Sequence, residues 1–422
     1  MNTSAVATST MASDSAEPMP PGYKLTEIGV FPEDWSVVEL GHIASICTGN
    51  TPPTQATDNY GDEFLFVSPA DLGEDAYITD TEKKLSAKGF ALSRHFPKGS
   101  ILFTCIGSTI GKCAIASVEL TSNQQINALL PSPRYCTQFV YYTLCRAAPW
   151  IKSQAGEQAV PIVNKSQFSE ARIPFPLLPE QRAIAAALSD VDELIGALDK
   201  LIAKKRAIKL ATMQQLLTGK ARLPGFSGEW CHATLGEFAS IRNVKVMPRQ
   251  VDPETPYVEL EHIGQGDGRL LGCSTADSST SSKYRFQRGD VLFGRLRSYL
   301  RKYWHADRDG ICTTEIWPLM VDAKRANSGF LRALVETDAF IDAASISYGT
   351  HMPRADWGVM RNFDVSLPPL PEQEAIASVL KDMDAEITAL EQRRDKTKAI
   401  KQGMMQSLLA GRVRLVEPEI VT

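Results

Sequence analysis

The feature that most constrains this sequence is a stretch that occurs twice. Residues 178–223 open with Leu-Pro-Glu-Gln and close on Leu216-Leu217-Thr218-Gly219 and Arg222-Leu223. Residues 370–415 open with the same four residues and close on Leu408-Leu409-Ala410-Gly411 and Arg414-Leu415. Pro179 maps to Pro371 and Gly219 to Gly411, each 192 positions further on, and no gap is needed. A repeat of this length dictates architecture before any local assignment is made.

Each copy carries the signals of one long helix. Pro179 and Pro371 suit a first turn, where a missing N–H costs nothing. Glu180-Gln181 and Glu372-Gln373 set acceptors against the positive helix end. Gly219 and Gly411 stand where a left-handed cap is expected, and no Pro intervenes. The spacing predicts helices over 180–217 and 372–409, rods of roughly 57 Å. Apolar residues recur in 4-3-4-3 steps, at Ile184, Leu188, Val191, Ile195, Leu198 and Ile202, and at Ile376, Leu380, Met383, Ile387 and Leu390. That is a coiled-coil seam, and matched seams predict that the two rods pair antiparallel. Both seams weaken midway, at Lys205 and Arg394.

A globule precedes each rod. Trp35 to Ile46 echoes Trp230 to Ile241, and Phe96 to Phe103 echoes Phe286 to Phe293. Short β-branched and aromatic runs broken by Gly, Pro and Asp predict strands, as at Phe64–Val67, Ser100–Thr104, Tyr257–Leu260 and Asp290–Phe293. Helical segments are expected near Thr137–Cys145 and Gly329–Phe340. The fold class is thus mixed α/β (α+β): two globules separated by two long antiparallel coiled-coil helices in a pseudo-twofold repeat. The expected divisions are a tail at 1–20, globules at 21–176 and 224–368, spacer helices at 177–223 and 369–415, and a tail at 416–422.

Composition excludes several classes. Among 422 residues no apolar run approaches the length of a membrane span, and residues 1–20 lack a basic start and an apolar core, so no secretory signal is read there. The eight cysteines are scattered without a Cys-x-x-Cys, which predicts free thiols, a cytoplasmic setting and no structural metal. A net charge of −4 leaves nucleic-acid binding open, because the distribution of charge decides it.

That distribution is uneven. Arg285, Arg288, Arg295, Arg297, Arg301, Lys302 and Arg308 lie among Tyr284, Tyr299, Tyr303 and Trp304. Clustered cations neutralise phosphates, and Arg reads guanine through O6 and N7. The alternative is a solvated basic strand pair. The matching segment of the first globule, Thr104 to Lys112, fails the phosphate-loop pattern, since three residues rather than four separate Gly107 from Gly111 and Cys113 follows Lys112. It is either a turn that brings Ser108, Thr109 and Lys112 to DNA phosphates or a plain turn. Basic residues of the rods, including Lys205, Arg206, Lys209 and Lys401, are expected as solvated or salt-bridged faces before DNA contacts. No motif for a methyltransferase, a nuclease or another catalytic centre is present.

The paired Leu-Pro-Glu-Gln rods ending in Leu-Leu-x-Gly-Lys/Arg, the opening Tyr23 to Trp35 and the run Asp290 to Arg297 resemble the specificity subunit of type I restriction–modification systems. The resemblance covers Tyr23 to Leu415. It implies that the globules are target-recognition domains reading a bipartite, asymmetric duplex DNA site. It implies that the rods space them and dock two modification subunits, with restriction subunits joining for cleavage. The spacer and docking residues expected on this basis are Glu180, Gln181, Ile184, Leu188, Glu372, Gln373, Ile376 and Leu380. Ser108, Thr109, Lys112, Arg285, Arg288, Arg295, Arg297, Tyr299, Arg301 and Lys302 are the expected DNA contacts. S-adenosylmethionine, ATP and Mg2+ then belong to partner subunits, with none bound by this chain and no membrane involved. A stand-alone methyltransferase or nuclease with disguised motifs, or a coiled-coil scaffold without DNA, is the rival reading.

Overall fold

The computed structural model describes residues 19–73, 75–156, 159–346 and 353–416. They form two compact units. The first holds the residues up to Ala197 and those from Asp395 onward, and the second holds Leu198–Arg394. The expected tails lie outside the described residues, apart from Met19, Pro20 and Leu415's neighbour Val416.

The two units repeat one topology. In the first, a sheet runs in the order Ile46–Thr48, Ile126–Leu129, Ile101–Thr104, Cys113–Ala116, with Tyr77–Ile78 added at the edge. In the second the order is Ala239–Ile241, Ile316–Val321, Val291–Gly294, Tyr303–His305. Each unit adds a five-stranded sheet, in which Leu120–Ser122 runs parallel to Phe64–Val67 and Gly310–Cys312 runs parallel to Pro256–Val258.

The central strands Ile101–Thr104, Ile126–Leu129 and Val291–Gly294 are buried at every position because both faces are covered. Ile101 and Phe103 face a core that includes Phe139, Val140, Ile184 and Leu188, whereas Leu102 faces a second core with Val67, Phe96 and Leu120. Val291 and Phe293 likewise face Phe330, Leu331, Ile376 and Leu380, whereas Leu292 faces Val258, Phe286 and Trp304. One side of each central sheet thus packs on helices, the other on the second sheet.

Three expected elements differ in detail. The strand expected to reach Leu260 stops at Val258, and Leu260–His262 form a 3-10 turn in which His262 Nδ1 accepts from the Glu259 N–H at 3.0 Å. The helix near Gly329–Phe340 is two helices, Ser328–Val335 and Asp338–Ser345. Thr337 divides them, its hydroxyl accepting from Phe340 N and its extended backbone starting the second. The helix near Thr137 runs further than expected, to Ser153.

The two long helices span Leu178–Leu216 and Leu370–Leu408, 39 residues each. Ile184, Leu188, Leu198, Ile202, Ile376, Leu380 and Ile387 are buried, while Val191, Ile195, Met383 and Leu390 are half-buried. Within the first unit Lys401 meets Asp192 at 2.5 Å. Within the second, Asp199 meets Arg394 at 3.3 Å, Lys205 meets Glu386 at 2.6 Å and Lys209 meets Asp384 at 2.7 Å. Numbers rise on one helix as they fall on the other, so the segments run antiparallel inside each unit. Ion pairs therefore occupy the weak points of the seam at Lys205 and Arg394, and these rod cations serve the chain's own packing.

Both helices end in a left-handed glycine, Gly219 at φ +69° and Gly411 at φ +65°. Amides beyond each glycine return to the last turn, Ala221 N to Gln215 O at 3.2 Å and Arg412 N to Ser407 O at 2.9 Å. A Cβ on Gly411 would lie 2.5 Å from Pro32 Cγ, whereas Gly403, inside the same helix, faces open space. Gly411→Ala is expected to cost about 2 kcal/mol or more from the backbone and the clash together. Gly403→Ala should instead add roughly 0.5–1 kcal/mol. Urea denaturation of the two variants checks both signs.

Candidate nucleic-acid interface

The repeated Glu-Gln pair joins each helix to its own globule. In the first unit Glu180 is 2% exposed; it accepts from Trp35 Nε1 at 3.0 Å and from Arg414 Nε and Nη2 at 2.5 and 2.9 Å. In the second, Glu372 accepts from Trp230 Nε1 at 3.0 Å and from Arg222 Nε and Nη2 at 2.5 and 2.6 Å. Each guanidinium also lies near the ring of its tryptophan, at 5.9 Å for Arg414 and 5.3 Å for Arg222. Gln181 accepts from the Cys136 amide and donates to Pro176 O, while Gln373 accepts from the Asn327 amide and donates to Pro368 O. A short Glu or Gln side chain at the first turn reaches these groups because an early strand of the globule and its last one, Ser36–Glu39 and Arg172–Phe175, pair between Trp35 and Pro176.

Glu180, Gln181, Ile184, Leu188, Glu372, Gln373, Ile376 and Leu380, expected as spacer and docking residues, are all buried within the chain, where they anchor helix to globule. The exposed large apolar side chains of the helices are others, Leu194 and Ile400 in the first unit and Leu201, Ile208 and Leu210 in the second. The partners of the motif, Trp35, Trp230, Arg222 and Arg414, carry no local sequence signal for that role beyond their recurrence in both copies.

The basic run of the second globule does not form one patch. Arg288 precedes the strand Val291–Gly294, and Arg295 follows it, so a four-residue strand of roughly 13 Å stands between them. Arg285 and Arg288 are exposed, and Arg308 pairs with Asp307 at 2.6 Å. Tyr303 and Trp304 are core residues. The cations that remain together lie in the turn between Gly294 and Tyr303.

In that turn Lys302 is held inward, its Nζ donating to Leu260 O at 2.6 Å and Ile263 O at 3.0 Å. Arg301 is bound to Asp338 and to Glu336 O. Arg295 is half-buried, its guanidinium 5.5 Å from the centre of the Trp317 ring and its buried Nε without a hydrogen-bond partner among the described residues. Arg297 is exposed, as is Tyr299 at 53%. Arg354, not expected from sequence, closes the turn: it grips Glu315 through two nitrogens at 3.0 Å, and Leu296 bridges it. The turn thus presents Arg297 and Tyr299 outward while Arg301 and Lys302 hold its shape.

The first globule carries the same turn between Thr104 and Lys112. Lys112 Nζ donates to Pro69 O at 3.1 Å, so its charge is directed into the chain. Ser108 is exposed and Thr109 half-buried, and the Ser108 carbonyl accepts from Lys152 Nζ at 3.0 Å. Backbone bonds repeat: Cys105 N to Gln125 O and Arg295 N to Glu315 O, Gly107 N to Pro161 O and Arg297 N to Pro353 O, Thr104 N to Lys112 O and Gly294 N to Lys302 O. One backbone frame therefore offers small hydroxyls in one unit and an arginine with a tyrosine in the other. Left-handed backbone at Arg297 and Arg301 (φ 52° and 51°) costs roughly 1–2 kcal/mol for each residue.

Glu259, Glu261 and His262 are the one group of side chains close enough to share a metal ion among the described residues. Glu259 already accepts from Tyr257 OH at 2.7 Å, and His262 Nδ1 from the Glu259 amide.

The family model for the type I restriction modification DNA specificity domain matches residues 32–205 and again 228–402. The chain is 23% identical over 407 residues to the type I restriction enzyme MjaVIII specificity subunit of Methanocaldococcus jannaschii, covering 91% of this chain and 94% of that protein. It is 24% identical over 417 residues to the EcoDI specificity subunit of Escherichia coli, covering 90% and 88%. A crystal structure of the type I S subunit from M. genitalium superposes with a TM-score of 0.60 at 16% identity, over 92% of this chain and 99% of that one.

Proposed function

This chain belongs to the family of type I restriction–modification DNA specificity subunits, and from that premise we propose that its two units read the two different halves of one split duplex DNA target. The observation that carries the proposal is the pair of matched turns, Thr104–Lys112 and Gly294–Lys302, which share several backbone bonds and carry different outward side chains. Equal frames with unequal readers suit an asymmetric bipartite site. Phosphate contacts would set position, and side chains at base edges would set sequence.

In this reading residues 21–176 and 224–368 recognise DNA, and 177–223 and 369–415 space the two readers. The chain performs recognition and no bond-making step. Methyl transfer from S-adenosylmethionine belongs to two modification subunits, and ATP-driven cleavage with Mg2+ to restriction subunits, all in the cytoplasm. Among the described residues no helix is long and apolar enough to cross a membrane.

Methylome sequencing of a host expressing this chain with its modification subunit tests the proposal. A methylated motif of two unlike halves around unread base pairs is the expected result. Methyl transfer by the purified chain alone, given labelled S-adenosylmethionine and DNA, would instead favour a self-sufficient methyltransferase.

A further inference from the structure

Two backbone positions of the matched turns are glycine in one unit and arginine in the other. Gly107 has φ +92° and Gly111 φ +103°; their counterparts Arg297 and Arg301 have φ 52° and 51°. Among the described residues these two arginines are the only ones other than glycine with left-handed backbone. Around Arg297 the hydrogen bonds match those of the glycine turn, with Gly107 N to Pro161 O and Arg297 N to Pro353 O both at 2.9 Å, whereas Gly111 N bonds Thr104 O at 3.1 Å and Arg301 N bonds Ser298 O at 2.8 Å. The conformation at Arg297 therefore belongs to the frame. A side chain there is retained against a steric cost, and such strain persists where it serves a purpose.

Arg301 has an internal purpose, because its guanidinium binds Asp338 and the Glu336 carbonyl. Arg297 has none among the described residues: it is exposed and its side chain makes no hydrogen bond or ion pair there. Its backbone is nonetheless held from both sides, by its own N–H on Pro353 O and by Leu300 N on its carbonyl at 2.8 Å. The result is a fixed root carrying an unoccupied donor fork.

We propose that Arg297 reads a guanine in the half-site of the second unit, donating to O6 and N7 in the major groove. This rests on the reading of the chain as a DNA specificity subunit. A phosphate contact does not need such a placement, because a phosphate accepts a cation from many directions and exposed Arg285 and Arg288 supply cations without left-handed backbone. A guanine edge is best met by a planar fork delivered from one direction, which a rigid root provides and the point charge of lysine reproduces less well. In the first unit Gly107 holds the same place, so that half-site lacks this contact.

The test selects preferred sites from a random duplex DNA library, using the full chain assembled with its modification subunit, and follows thermal unfolding of the same proteins. Arg297→Gly restores the residue that the frame suits. It is expected to melt no lower than the parent and to lose the preference for one G·C pair in one half-site by roughly ten- to a hundredfold, with the other half unchanged. Arg297→Lys keeps the charge without the planar fork and should weaken the same preference. An unchanged motif in Arg297→Gly, or an undiminished G·C preference in Arg297→Lys, overturns the proposal. A melting temperature lowered by Arg297→Gly overturns the strain on which it stands. A parent complex that selects no motif overturns the DNA reading itself, and the inference with it.

Discussion

Arg414→Ala is expected to destabilise the first unit by about 3 kcal/mol, the low end for removing one partner of a buried pair, because the arginine itself reaches solvent. Glu180, 3% exposed in its side chain, would keep only the Trp35 indole as a donor. Arg222→Ala should destabilise the second unit in the same direction, where Glu372 is 1% exposed. Hydrogen exchange read by peptide separates the two. Arg414→Ala should speed exchange near residues 31–40 and 404–415 and leave 226–238 protected, and Arg222→Ala should reverse the pattern. Replacing both members of one pair with leucine should cost far less than either single change, since no charge is then left buried. Equal exchange in both units after either mutation would show that the clusters do not act within their own units. Arg414 also hydrogen-bonds Asp34 and holds its carboxyl below the usual range. A depressed carboxyl adds stability that is present above its ordinary pKa of about 4 and is lost as pH falls through the lower folded value. The Arg414→Ala variant should therefore lose less stability than the parent on acidification below that point.

The second large effect is an exchange of readers. Replacing residues 21–176 with the matching segment of a family member is expected to change one half of the methylated motif completely and leave the other half intact. The structure sets a condition on the donor. Trp35 and the Cys136 amide bind Glu180 and Gln181, Tyr142 donates to Asp192 at 2.7 Å, and Arg146 bonds the Leu409 carbonyl. A donor lacking the tryptophan would leave Glu180 with Arg414 alone and should yield an unstable chain rather than a new specificity. Methylome sequencing reads the outcome. A donor that meets the condition yet alters both halves would show that the units do not read independently.

The sequence by itself determined the parts that rest on periodicity and repetition. Two rods with a shared seam, capped by Gly219 and Gly411, follow from spacing and backbone preference, which are local. The doubled globules follow from the echo between Trp35–Ile46 and Trp230–Ile241. Strands such as Phe64–Val67 were legible because β-branched and aromatic runs end at turn residues. Only the tertiary structure decided where side chains point. Glu180 and Gln181 read as a helix start and candidate docking groups, but they are buried because Trp35 and Arg414, distant in sequence, converge on them. Arg285 to Arg308 read as one basic patch, yet a strand separates its members and Lys302 turns inward to two carbonyls. The left-handed backbone of Arg297 had no local signal at all, since arginine does not prefer it. It is imposed by the strands on either side and by the bond to Pro353, contacts that exist only once the sheet has formed.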